Sequence, residues 1–228
     1  MKEGFANQEG EPVVRAMIQA IQENAAMLSQ VDGAIGDGDH GINMNKGFTI
    51  CAQRLMESPG SFSDGLKTLG RVLLSEIGGA MGPLYGTFFL EMSRASAGKE
   101  RIDAAVFLGM LEQATEGVVS LGNAKLGDKS MVDALVPALE AFRKACQDRK
   151  AFPDALSAMA EAAEKGKEST RGLVARIGRA SRLGERSRGN LDPGATSCAL
   201  LLGAMARSMT ALLAEPGDAR APAGVREC

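Results

Sequence analysis

Apolar residues recur along most of the chain at intervals of three and four. Val14, Ile18, Ile21, Ala25 and Leu28 form one such series, and Phe62, Leu66, Leu69, Leu73 and Ile77 form another. This spacing gathers each set on one face of an α-helix, the face that turns towards a core. Ile102, Val106, Met110, Ala114 and Val118 continue the pattern, as do Met131, Leu135, Leu139, Phe142 and Cys146. Pro137 lies inside the last of these and predicts a kink or a turn there. Pro153 opens an Ala-rich segment that runs to about residue 175, in keeping with proline's fit to a first helical turn. Cys198, Leu202, Met205, Met209 and Leu212 mark a last long helix. No stretch alternates with period two for long enough to predict a strand, so the pattern predicts an all-α domain of about eight helices.

Composition agrees. The chain of 228 residues holds 35 Ala and 23 Leu against 26 Val, Ile and Thr together, a balance that favours helix because β-branched residues lose more rotamer freedom there. Its length allows one generous domain or two small ones, and the helical pattern reads as a single domain over 1–214. The stretch 215–228 has two Pro, two Gly and no apolar stripe, and reads as a mobile tail. Apolar runs are interrupted well before the roughly 20 residues of a membrane helix, and the N-terminus has no apolar signal core, so a membrane span and secretion are not expected. Cys51, Cys146, Cys198 and Cys228 are scattered without a C-x-x-C pair, which reads as reduced thiols in a cytoplasmic protein. Lys+Arg 26 against Asp+Glu 28 gives a net charge of -2, and aromatic residues are only 4%, so nucleic-acid binding is not expected.

Three Gly-rich polar stretches, 31–47, 78–86 and 176–194, read as loops on the helical scaffold, where sites usually lie. The first places Asp32, Asp37 and Asp39 within eight residues, with Gly33, Gly36, Gly38 and Gly41 among them. Such crowding is unfavourable unless a cation or a basic partner offsets it. A calcium EF-hand fails in both registers: starting at Asp37 puts Ile42 where Gly is needed and Phe48 where Glu is needed, and starting at Asp32 puts Asp37 and Asn43 there. Carboxylates with no sulfur and at most one imidazole suit Mg²⁺ or Ca²⁺ better than zinc, and Mg²⁺ commonly completes its shell with substrate phosphates. A solvated Asp-Gly turn is the plain alternative. His40, the sole histidine, follows Asp39 directly, where a donor can reach phosphates that a metal holds.

Four blocks carry a family resemblance. Gly36-Asp-Gly-Asp-His-Gly41 with Asn43 and Asn45, Gly78-Gly-Ala-Met-Gly-Pro-Leu-Tyr-Gly-Thr87, Gly127-Asp-Lys-Ser-Met131, and Gly178 to Ser187 with Asp192-Pro-Gly-Ala-Thr-Ser197 resemble the nucleotide-binding L subunit of dihydroxyacetone kinase. The resemblance spans about residues 13 to 213 and implies an antiparallel barrel of eight amphipathic helices. It implies that Asp32, Asp37 and Asp39 hold two Mg²⁺ ions on the phosphates of ADP or ATP. It implies further that His40, Gly41 and Asn43 line those phosphates and that Ala80 and Met81 approach them. Gly122, Ser130 and Met131 then border adenine and ribose, while Arg179, Asp192, Pro193 and Gly194 close the remaining side. Arg179 and His40 are the implied catalytic groups, since phosphoryl transfer is mostly positioning and charge neutralisation.

Two departures from the family pattern are visible. Met81 stands where relatives commonly carry Ser, and Ile177 where they often carry a basic residue. The family's reaction moves a phosphoryl group to a short-chain ketose held covalently by a separate K subunit. Some members exchange ATP for ADP freely, while in others the ADP is a bound coenzyme rephosphorylated by a phosphotransferase-system phosphocarrier protein, and no residue of this chain separates the two. The alternatives are a fatty-acid-kinase-like nucleotide domain, which His40 and the Leu-Gly-Glu-Arg-Ser block disfavour, and a non-catalytic nucleotide-binding regulatory module, which Met81 keeps open.

Overall fold

The computed structural model describes residues 2–214, and the tail expected over 215–228 lies outside the described residues. Eight α-helices follow in order: α1 (Glu11–Gly33), α2 (His40–Glu57), α3 (Phe62–Glu76), α4 (Met81–Ser96), α5 (Ala104–Gly122), α6 (Val132–Gln147), α7 (Phe152–Ser169) and α8 (Pro193–Leu213). Each packs against its successor, and α8 returns to pack against α1, so the helices close into a ring. The expected all-α fold is thus present, with one addition. Two three-residue strands, β1 (Gly4–Ala6) and β2 (Arg101–Asp103), pair antiparallel with Phe5 opposite Ile102. Three residues are too few to show alternation, and Ile102, expected on a helical stripe, is buried from a strand instead.

Sequence signals explain the helix ends. Ser61 and Asp64 form a reciprocal capping box at the start of α3, and the Asp103 carboxylate accepts from the Val106 N–H at 2.8 Å to start α5. The kink or turn expected at Pro137 does not interrupt α6, which is helical from Val132 to Gln147. Pro137 deprives the Asp133 carbonyl of its usual N–H partner. That carbonyl lies directly against Gly166 of α7, where any Cβ would collide with it, so close packing between α6 and α7 occupies the gap. The helix from Pro153 stops at Ser169, earlier than expected, and a short 3-10 turn (Thr170–Gly172) follows.

The core is filled along the expected stripes. Phe48, Tyr85, Phe88 and Phe89 form one aromatic group, and Phe107, Phe142 and Phe152 another, with ring centroids 5.1–6.4 Å apart. Helix α8 is long and apolar enough to cross a membrane, but most of its apolar window is buried inside the ring, against α1 and α7.

Candidate active site at the helix N-termini

An up-and-down ring of eight helices places the N-termini of α2, α4, α6 and α8 at one end. That end holds a cavity of about 700 Å³ lined by His40 and Asn43 from α2, Ala80 and Met81 from α4, Ser130 and Met131 from α6, and Asp192, Pro193 and Gly194 from α8. Each N-terminus offers backbone N–H groups with no partner inside the helix and the positive end of a helix dipole. The N-cap residues of α2, α4 and α6 make no side-chain cap, although the first N–H of α2 lies 3.3 Å from Asp32 Oδ2 and that of α6 donates to Ser130 Oγ at 3.2 Å. Four such ends around one cavity make a strong site for a polyanion.

The acidic cluster sits at the same mouth. Ligand oxygens of Asp32, Asp37 and Asp39 all lie within 4.8 Å of one another. The stretch 31–47, expected as one long loop, is mostly helical: α1 runs through Asp32 to Gly33, and α2 begins at His40. Only 34–39 connects them. Asp32 is consequently buried, and its Oδ2 lies 3.3 Å from the His40 backbone N–H, while Asp37 is exposed. The donor set is carboxylate oxygen alone, the hard-ligand chemistry of Mg²⁺, and its three negative charges call for a cation. Arg179 supplies positive charge there: its guanidinium contacts Asp37 and reaches Asp39 at 3.5 Å.

Gly41, expected beside the phosphates, is placed behind the cavity wall. It is buried and absent from the cavity lining, and a Cβ there would collide with the Ala25 carbonyl and with Ser29 of α1. Its function is close approach of α2 to α1, which brings His40 and Asp39 back over Asp32. The stretch 176–194, also expected as a loop, contains a 3-10 segment (Arg179–Ser187) broken at Gly184, and α8 already begins at Pro193. Asp192 is the N-cap of α8, accepting from the Ala195 N–H at 2.7 Å. Ala80, Met81, Gly122, Ser130, Met131 and Arg179 all border the cavity, as do Ile177 and the apolar side chains of Leu84, Val118 and Leu121. The lining thus combines apolar side chains, which suit a flat apolar ring, with the acidic cluster and helix N-termini, which suit a charged chain.

His40 is 6% exposed, and burial pushes its pKa down to about 4, which leaves the imidazole neutral. Its Nε2 lies 2.8 Å from Ser197 Oγ, which in turn lies 2.6 Å from the Tyr85 hydroxyl. Ser197 and Tyr85 belong to the quoted sequence blocks, but the residue types alone give no sign that they hold the histidine.

Asp192 is a further buried titratable group in the wall. Burial raises its pKa to about 7, with the neighbouring Asp133 adding to the effect and the Ala195 N–H and Lys129 opposing it. An unfolded carboxyl loses its proton near pH 3.9, so folding retains a proton between about pH 4 and 7. The contribution of Asp192 to stability is therefore full at the acid end and is lost as pH rises towards 7. Asp192→Asn keeps an oxygen acceptor for the cap and removes the titration. Compared with the parent, its relative stability in thermal or urea unfolding should improve by on the order of 1 kcal/mol or more between about pH 5 and pH 8. A difference that does not change with pH would contradict the assigned environment.

Residues 34–207 match the DAK2 domain. The chain is 43% identical over 188 residues to the ADP-binding subunit DhaL of PEP-dependent dihydroxyacetone kinase 1 from Listeria innocua, covering 82% of this chain and 89% of that one. It is 41% identical over 176 residues to the corresponding DhaL subunit of Escherichia coli, covering 77% and 84%. Among solved structures, the dihydroxyacetone kinase from C. freundii in complex with AMP-PNP and Mg²⁺ superposes with a TM-score of 0.66 at 25% identity, covering 91% of this chain and 35% of that chain.

Proposed function

The chain belongs to the DAK2-domain family, and from that premise we propose that it is the nucleotide-binding, phosphoryl-transferring subunit of a dihydroxyacetone-type kinase, acting with a ketone-binding K subunit in the cytoplasm. The observation that carries this reading is the convergence of Asp32, Asp37 and Asp39 on one mouth of the cavity that four helix N-termini surround. The two relatives above are both named ADP-binding subunits of PEP-dependent kinases. On that basis the nucleotide is ADP kept as a coenzyme, and a phosphotransferase-system phosphocarrier protein restores its terminal phosphoryl group.

Asp32, Asp37 and Asp39 would hold two Mg²⁺ ions, which neutralise phosphate charge and align the terminal phosphoryl group. The chain's own groups do the rest. Backbone N–H groups at the heads of α2 and α4 bind phosphate oxygens, and that of Met81 replaces the hydroxyl that its side chain lacks. His40, neutral and held through Nε2 by Ser197, turns Nδ1 to the phosphates as a hydrogen-bond donor. Leu84, Val118, Leu121 and Met131 exclude water from the base. Asp192, Pro193 and Gly194 close the far side, and residues 1–214 act as one nucleotide-binding domain.

Arg179 stands at the open face, where an acceptor held by another polypeptide would arrive. In-line transfer requires the acceptor oxygen within about 3–3.5 Å of the phosphorus. On this division of labour the isolated chain loaded with nucleotide should transfer no phosphoryl group to free dihydroxyacetone. Addition of the ketone-binding subunit should restore transfer, measured as dihydroxyacetone phosphate formed per chain. Comparable turnover by the isolated chain would contradict the division of labour.

A further inference from the structure

Lys129 has no place in the chemistry described so far. It touches the cavity wall, yet only 2% of it is exposed, and its ammonium is bound by backbone carbonyls rather than by a carboxylate. Nζ donates to the carbonyls of Thr170 at 2.8 Å, Ser187 at 2.8 Å and Asn190 at 2.6 Å, with the Leu173 carbonyl at 3.2 Å. An ammonium has three protons, so these four oxygens use its full donor capacity. A ring of carbonyl oxygens around one positive charge is also the donor set that takes a dehydrated monovalent cation.

Two further facts give the cage a purpose. The four carbonyls come in two pairs, Thr170 and Leu173 after α7, Ser187 and Asn190 before α8. The segment between them, 174–186, carries Arg179. Lys129 therefore clamps both feet of the segment that brings the guanidinium to Asp37 and Asp39. The backbone at Lys129 is also left-handed, with φ 66°, a conformation that L side chains rarely adopt. Glycine would relieve that strain, and the strain is kept at a position whose ammonium is fully engaged.

We infer that Lys129 is a positioning residue, a built-in cation whose carbonyl cage sets segment 174–186 and with it the placement of Arg179. The cage is independent of what the acidic cluster binds. Its consequence for transfer rests on the role proposed above for Arg179.

Two variants test this. Lys129→Met keeps an unbranched stem, one atom shorter, and removes the ammonium. Lys129→Gly removes the stem and opens a path from the cavity to the carbonyls that n-butylammonium fits in length and charge. Hydrogen exchange of the nucleotide-free chain should be about tenfold or more faster over 174–186 in both variants, with α1 to α4 unaffected. In the Gly variant n-butylammonium should restore protection and n-butanol, uncharged and of similar size, should not. The Met variant, its stem in place, should respond to neither. If the Gly variant does not fold unaided, refolding that depends on n-butylammonium and not on n-butanol is the same result.

Unchanged exchange over 174–186 in both variants, or equal restoration by the alcohol, would overturn the cage. Single-turnover transfer with the ketone-binding subunit should follow the protection, lost and restored with it. Protection that is lost and restored while transfer stays at the parent rate would overturn the step from the cage to Arg179, and it would leave the nucleotide site standing.

Discussion

Asp37→Asn is expected to lower the Mg²⁺-dependent affinity for ADP by about a hundredfold or more, ~2.7 kcal/mol. Asp37 is the most exposed of the three carboxylates, and its only side-chain partner among the described residues is Arg179. An amide keeps one oxygen but loses the charge, and a hard divalent cation bound by few ligands depends on that charge. The fold has no such dependence. Removing one of three crowded negative charges relieves repulsion as it removes the ion pair, and exposed pairs contribute at most about 1 kcal/mol. The thermal midpoint of the metal-free variant should therefore stay within a few degrees of the parent's. Calorimetric titration with ADP and Mg²⁺ checks the first effect and thermal unfolding the second. Unchanged affinity would mean that the acidic stretch is only a structural turn.

Arg179→Ala should reveal a different balance, a loss of about a hundredfold to a thousandfold in the rate of transfer with less than about tenfold in ADP affinity. Only interactions stronger in the transition state than in the bound state speed the chemical step. The guanidinium is well placed for this. It sits on an exposed segment, remains charged at any working pH, and reaches Asp37 and Asp39 at the mouth of the cavity. With Mg²⁺ held by the carboxylates, the guanidinium would be available to the transferring group. Single-turnover transfer with the ketone-binding subunit, set beside ADP off-rates, separates the two quantities. Equal losses in both would assign Arg179 to binding alone.

The helical stripes were legible in the sequence because each depends on local spacing, and the residues named on them are almost all in the core. Helix ends within Gly-rich stretches were not. Gly41 suggests a loop by composition, but here it is the contact that lets α2 start against α1, and that depends on an element some 15 residues earlier. Pro137 suggests a break, and only the arrival of Gly166 from another helix shows why none occurs. In the site, the acidic cluster and the Gly-rich helix heads could be recognised as chemistry because their residues are close in sequence. The support for them could not. Ser197 reaches His40 across 157 residues, and Lys129 gathers carbonyls 41 to 61 residues away. Nothing in the local pattern distinguishes that lysine from one on a solvated surface.

The central claim is that a divalent metal held by the three carboxylates joins the nucleotide to this chain. The most direct measurement is a calorimetric titration of the nucleotide-free protein with ADP, first in Mg²⁺ and then in a chelator. The expected result is one ADP per chain in Mg²⁺ and an affinity weaker by about a hundredfold or more in the chelator. Equal affinity in the two titrations would contradict the claim.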